Sequence, residues 1–300
     1  MNSRHKGIAC IIASAFGFAV MGLCISLSDY GGWFGGEISA FQKSFFRNLV
    51  AVFVAGAILV GKARSGTVFE GRPGAREWLI LLLRCICGAA GIFGNFYALS
   101  HIPLGDGMML NKLSPFFTVL FAWMFLSERM TVKSAMALVG AFLGSMFIVK
   151  PSFATSDLFA RFSGFFGGVM AGAAYACLRA LSKGRGRMDG SFIVFSFSLF
   201  STLSAVPFMV ADYDPMTPMQ VAILVGAGVS ATVGQFGITA AYRFAPPRDI
   251  AVYDYSNVVF AALLGWAVLG QTPDALSLAG FALIIAMGIW MHHQGRKGVT

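Results

Sequence analysis

The residues able to do chemistry in this 300-residue chain are few, and most stand where an ionisable side chain is expensive. Lys43 and Arg47 are one helical turn apart in an apolar run and share a face. Arg84 interrupts a second run, and Asn111, Lys112 and Ser114 precede Pro115 in a third. Pro115 has no N–H for the Asn111 carbonyl, so a helix there should kink and leave a free carbonyl near a cation. Further on, Tyr253, Asp254, Tyr255, Ser256 and Asn257 place polar groups where a lipid-facing helix would carry none. Asp254 and Asn257, three apart, share a face. Charges at bilayer depth are costly, so they face a bundle interior or a water-filled cavity and mark binding or ion pathways. Asn95, Tyr175 and Gln235 either shape such a cavity or hydrogen-bond neighbouring helices. The candidate substrate-binding set is therefore Lys43, Arg47, Arg84, Asn95, Asn111, Lys112, Ser114, Tyr175, Gln235, Tyr253, Asp254 and Asn257.

Bland readings accompany several of these. Lys43 can snorkel to an interface, as can Arg84 and, near the end of its run, Arg179. Asp254 can pair with a buried cation, bind a substrate amine or carry a coupling proton. Asp106 and Asp249, close to helix starts, read as N-caps or first-turn charges. Setting Lys43, Arg47, Arg84, Lys112 and Arg179 against Asp106 and Asp254 leaves a surplus of positive charge in the apolar runs. An anionic or zwitterionic, carboxylate-bearing small molecule is the simplest partner for it.

The elements that must position these residues follow from composition. At 57% hydrophobic and 12% charged, the chain has too few charges to cover a water-facing surface, so its solvent is largely lipid. A net charge of +9 would suit nucleic acid only if gathered on one face, and here the Lys and Arg are scattered between apolar runs. No nucleic-acid partner is expected. A ~30 Å hydrocarbon core takes ~20 helical residues. Ten such runs are legible, near 7–27, 38–60, 78–99, 105–126, 132–149, 162–181, 191–210, 219–242, 249–269 and 275–293. They are continuously apolar rather than alternating, which excludes a barrel. The expected fold class is an all-α integral membrane protein, with the first run an uncleaved helix.

Lys and Arg are retained on the cytoplasmic side. With the N-terminus inside, the inner segments hold Arg4, Lys6, Lys62, Arg64, Arg72, Arg76, Arg129, Lys133, Lys183, Arg185, Arg187, Arg243, Arg248, Arg296 and Lys297, and the outer ones only Lys150 and Arg161. Both termini are thus expected to be cytoplasmic, in the bacterial cytoplasmic (inner) membrane, while outer loops carry Asp29, Glu37, Asp212, Asp214 and Asp274. No cofactor, metal or catalytic residue is expected. Cys10, Cys24, Cys85, Cys87 and Cys177 lie in apolar runs, and His5, His101, His292 and His293 lie near interfaces. The stretch Gly184–Gly190, GRGRMDG, lacks the third glycine and the strand–helix context of a nucleotide fingerprint. An embedded enzyme needs a reactive constellation at depth, and none is visible.

A shift of 143 residues aligns the third and fourth runs with the eighth and ninth, matching Gly91 with Gly234, Gly94 with Gly237, Pro103 with Pro246, Asp106 with Asp249 and Trp123 with Trp266. Two five-helix repeats, residues 1–150 and 151–300, then sit in the bilayer with opposite orientation, which is a transporter's design. The segment Asn95–Arg129, NFYALSHIPLGDGMMLNKLSPFFTVLFAWMFLSER, and its echo APPRDIAVYDYSNVVFAALLGWAVLGQ resemble the drug/metabolite transporter superfamily, specifically its ten-helix EamA-type members. That resemblance implies a permease for amino acids or related metabolites, with helices one to four and six to nine lining a cavity and five and ten at the periphery. The first run has no acid, unlike the four-helix multidrug relatives. A lipid flippase or scramblase is the alternative, since a cationic midplane also suits a headgroup phosphate. Glycines at helical spacing, Gly164, Gly168 and Gly172 or Gly140 and Gly144, allow close helix approach, and the fifth and tenth helices are the candidate surface for a homodimer.

Overall fold

The computed structural model describes residues 3–28, 35–36, 38–64, 68–102, 104–150, 157–184 and 186–297. Twelve α-helices follow in order: α1 Ser3–Ser28, α2 Ala40–Arg64, α3 Ala75–His101, α4 Leu104–Asn111, α5 Ser114–Leu126, α6 Val132–Val149, α7 Leu158–Lys183, α8 Gly190–Ala211, α9 Pro218–Phe244, α10 Pro247–Ile250, α11 Ser256–Leu269 and α12 Ala275–Lys297. Among the described residues, ten segments are long and apolar enough to cross a membrane. The fourth is split into α4 and α5, and the ninth into α10, a 3-10 stretch Ala251–Tyr255 and α11. The fold is therefore an all-α membrane bundle, with one addition. The loops after α2 and α7 pair as two-residue antiparallel strands, β1 Phe69–Glu70 and β2 Arg187–Met188, in the register Phe69↔Met188.

Helix starts are set by local chemistry. Asp157, Asp189 and Thr217 accept hydrogen bonds from the N–H groups of Ala160, Ser191 and Gln220, satisfying donors that a helix N-terminus leaves open. Thr217 and Gln220 form a capping box, and the fully buried Gln220 amide also donates to the carbonyls of Ser28 and Gly36 at 3.1 and 2.8 Å. That side chain starts α9 and ties it to the end of α1.

Packing repeats itself between the two halves of the chain. α1 lies on α9 and α3 on α7; α5 lies on α7 and α11 on α1; α2 pairs with α8 and α6 with α12. Exchanging the first five spans with the last five maps this set onto itself. The closest approaches repeat too. A Cβ on Gly17 of α1 would stand 2.8 Å from the Gly234 nitrogen, and one on Gly167 of α7 would stand 2.8 Å from the Asn95 nitrogen. Only hydrogen fits at such crossings, and small residues are what allow helix backbones to approach in lipid. The outward faces are apolar, with Phe53, Phe125, Val132 and Leu158 more than two-thirds exposed. A lipid solvent accepts such a surface; water would not.

The start of α1 and the end of α12 lie at one end of the bundle, where the Arg4 guanidinium donates to the carbonyls of Met291 and His292. Two ion-pair hubs close that end. Lys62 reaches Asp189 at 2.7 Å with Arg243 at 4.0 Å, and the buried Glu128 takes Arg179 at 2.7 Å and Lys183 at 2.6 Å. The snorkelling expected of Arg179 is thus replaced by a buried pair, because Glu128, two residues past the end of α5, is turned inward. At the opposite end, Asp212 and Asp214 accept from Ser39 at the start of α2, and Lys150 pairs with Asp274. Asp29 and Glu37 lie outside the described residues, as does the side chain of Asp106.

Candidate functional site

The break between α4 and α5 has the cause that the sequence suggests. Pro115 cannot donate to Asn111, and Phe116 N–H turns instead to Leu113, so the Lys112 carbonyl has no helical donor. The hydroxyl of Tyr255 fills that vacancy at 2.8 Å. Tyr255 stands 143 residues after Lys112, so the interrupted stretches of the fourth and ninth spans meet at equivalent positions of the alignment. The 3-10 winding of Ala251–Tyr255 had no signal in the sequence beyond its density of polar residues.

Around this junction the polar side chains lock together. The Lys112 ammonium donates to Asn257 Oδ1 at 2.5 Å, and Asn257 Nδ2 donates to the Ala15 carbonyl midway along α1 at 3.0 Å. Asp254 is buried beside them, and its carboxylate makes no hydrogen bond or ion pair among the described residues. Lys112 is the cation that acts on it electrostatically.

A cavity of about 500 Å³, its open mouth included, lies next to this junction. It is lined by Arg47 of α2, Arg84, Gly88, Gly91, Ile92, Asn95 and Phe96 of α3, Asn111 of α4, Ala171, Ala174 and Tyr175 of α7, Phe197 of α8 and Gln235 of α9. Every one of these elements belongs to the two bundles α1–α5 and α7–α11; neither α6 nor α12 contributes. The Arg84 side chain is 1% exposed, and its guanidinium lies 4.0 Å over the Phe197 ring. It fits there because position 88 is glycine: a Cβ would strike the guanidinium and the Phe197 ring. Arg47 lies over Phe18 at 5.6 Å. Neither arginine has a carboxylate within ion-pair distance among the described residues, while Tyr175 stands close enough to act electrostatically on both. One end of the Asn95 amide and one end of the Gln235 amide are also buried without a partner. Such a cavity offers two cations and two amide ends to a small solute, in a medium where leaving them uncompensated is costly.

Of the twelve residues singled out in the sequence, Arg47, Arg84, Asn95, Asn111, Tyr175 and Gln235 line this cavity. Lys112, Asp254 and Asn257 form the adjoining junction. Three lie elsewhere. Lys43 is a turn above Arg47 and is not part of the wall. Ser114 is buried with its carbonyl taken by Thr118, against Gly172. Tyr253 packs toward Gly288 of α12, on a different side of the 3-10 stretch from Tyr255. The sequence reading missed Gly88, Phe197 and the wall alanines. The recurrence of Arg84, Gly88, Gly91 and Asn95 on one helical face was its available signal. Glu128 gave none, since it reads as a loop acid.

Comparison with known proteins agrees with this architecture. The EamA-like transporter family model matches residues 5–150 and 158–291. The chain is 31% identical to the pseudopaline exporter of Pseudomonas aeruginosa over 287 residues, covering 95% of both. It is 26% identical to the riboflavin transporter of Brucella anthropi over 71% of this chain and 76% of that one, and 26% identical to mouse solute carrier family 35 member G1 over 93% and 76%. A solved crystal structure superposes with a TM-score of 0.80 over 96% of this chain and 97% of its own at 15% identity, a likeness of fold alone. The chain belongs to the EamA-like transporter family of the drug/metabolite transporter superfamily, and is a multi-pass membrane transporter rather than an enzyme.

Proposed function

We propose that the chain is a secondary transporter that moves a small carboxylate-bearing, amino-acid-like metabolite across the bacterial cytoplasmic membrane by alternating access, with both termini cytoplasmic. The observation that carries this reading is the cavity whose wall includes Arg47 and Arg84, neither with an acidic partner among the described residues. The two halves, residues 1–150 and 151–300, act as inverted repeats that rock about the junction of Lys112 with Tyr255. The symmetric helix pairing, the 143-residue register and the two family-model segments support that arrangement. Cytoplasmic termini are supported by the Lys- and Arg-rich end at which α1 begins and α12 ends. Export is supported by the likeness to the pseudopaline exporter. Membrane lipid covers the apolar outer faces, and the outer surfaces of α6 and α12, which carry exposed Leu143, Phe147, Leu278 and Ile285, suit either lipid or a second copy.

Counterflow in proteoliposomes tests the reading. Purified protein loaded with unlabelled amino acid or carboxylate should accumulate the labelled solute saturably, and Arg47→Ala or Lys112→Ala should abolish flux while the protein still elutes as a folded species. Full activity in both variants would remove the cavity from the mechanism. Labelled phospholipid crossing the bilayer in place of the solute would favour the flippase reading.

A further inference from the structure

Two guanidiniums in one small cavity are more than a single carboxylate needs. Arg84 and Arg47 repel each other, and neither is neutralised: Arg84 meets the face of Phe197, Arg47 the face of Phe18, and no acid lies in ion-pair range of either among the described residues. Rings hold a cation in place without cancelling its charge. Arg84 is also held from below, where the absent side chain of Gly88 leaves room for the guanidinium, and its Nε is buried with no hydrogen-bond partner. A group this confined, this buried and this incompletely hydrogen-bonded is prepared for a ligand rather than for the fold, because a structural arginine has its fork filled. The unpartnered amide ends of Asn95 and Gln235 lie on the same cavity wall. Lys112, the other cation of the region, is already committed to Asn257 and acts on Asp254, so it does not share the task.

We propose that the transported solute is doubly anionic: it carries two acidic charges, which Arg84 and Arg47 together neutralise, while Asn95 and Gln235 are left for a polar group elsewhere on it. This rests on the transporter reading above and narrows its substrate class. Two carboxylates on one backbone and a single phosphate ester both supply the required charge.

Binding and flux measured side by side test it. The detergent-solubilised full chain is titrated with L-glutamate and glutarate as dicarboxylates, glycerol 3-phosphate as a phosphate ester, and L-glutamine and butyrate as singly charged or neutral-tailed counterparts, with stabilisation against heat as the readout. At least one dianion class should bind ten-fold or more tighter than its counterparts. Which class does so identifies the acidic group. Arg47→Gln should bring the ratio of dianion to counterpart affinity to within about three-fold, and Gly88→Ala, which keeps both charges but displaces the Arg84 head, should do the same. Lys133→Gln, which removes an exposed cation paired with Gln294 at the end of the bundle, should leave the ratio intact and controls for net charge. Arg84→Gln is informative only if folded; the other variants carry the test without it. Equal affinity for dianions and counterparts, or an unchanged ratio in both Arg47→Gln and Gly88→Ala, overturns the proposal. Saturable counterflow of a singly charged solute under those results would leave the transporter reading standing, whereas dianion binding with no flux of any solute would remove that reading and keep the site.

Discussion

Replacing Glu128 by Gln breaks the hub at the end of α5, and its cost follows from the geometry. Glu128 is 7% exposed, and a single carboxylate oxygen takes both Arg179 at 2.7 Å and Lys183 at 2.6 Å, while the other oxygen is buried without a partner. Removing one member of a buried pair costs about 3–5 kcal/mol, because the remaining charge stays desolvated. Two features reduce that figure here. Arg179, 15% exposed, keeps the Tyr242 carbonyl at 3.4 Å, and Lys183, 41% exposed, can turn to water, so its share is at most about 1 kcal/mol. The expected loss for Glu128→Gln is then about 2–3 kcal/mol, with a coupling of about 1.5–2 kcal/mol in the cycle with Arg179→Gln. Unfolding by sodium dodecyl sulfate in mixed micelles measures it, for the wild type, both single variants and the double. Additivity of the two substitutions within about 0.5 kcal/mol would refute the inward-facing pair and restore the snorkelling arginine.

Other perturbations read out different parts of the molecule. Burial by itself would raise the Asp189 carboxyl, but hydrogen bonds from Lys62 and from the Ser191 side chain and backbone outweigh it and hold the group below its ordinary range. A depressed carboxylate stabilises above its unfolded value and loses that contribution as pH falls through the folded one, so the Lys62 latch should be insensitive between pH 7 and 5 and open only below about 4; Asp189→Asn, followed by proteolysis of the adjoining loops, should remove the acid transition. Tyr255→Phe deletes the hydroxyl on the Lys112 carbonyl and should cost about 1–2 kcal/mol by the same detergent titration; no loss would mean that water serves that carbonyl equally well. Gly17→Ala forces a methyl onto the α9 backbone and should cost about 1–3 kcal/mol, with Gly167→Ala costing a similar amount at the equivalent crossing. Thr217→Ala should lower stability by about 1 kcal/mol through the α9 cap, whereas a neutral result would show that Gln220 holds that end alone.

Spans, helix type and the weak place in the fourth span were all legible before any coordinates, because each depends on quantities local in the chain: apolar length against bilayer thickness, and a proline that cannot donate to Asn111. The same locality made Arg47 and Arg84 conspicuous, since a charge in an apolar run is costly whatever it touches. Which charges stay unpaired is a long-range matter. Arg179 and Arg84 read alike as intramembrane arginines, yet one meets Glu128, just past the end of α5, and the other meets the ring of Phe197 with no acid in ion-pair range among the described residues. Likewise Tyr253 and Tyr255 are indistinguishable as letters, and the packing of the ninth span sets one against α12 and the other on the Lys112 carbonyl. Composition and spacing set how much each buried group must be compensated; the crossing of helices far apart in sequence sets what compensates it, and so which cations remain for a solute.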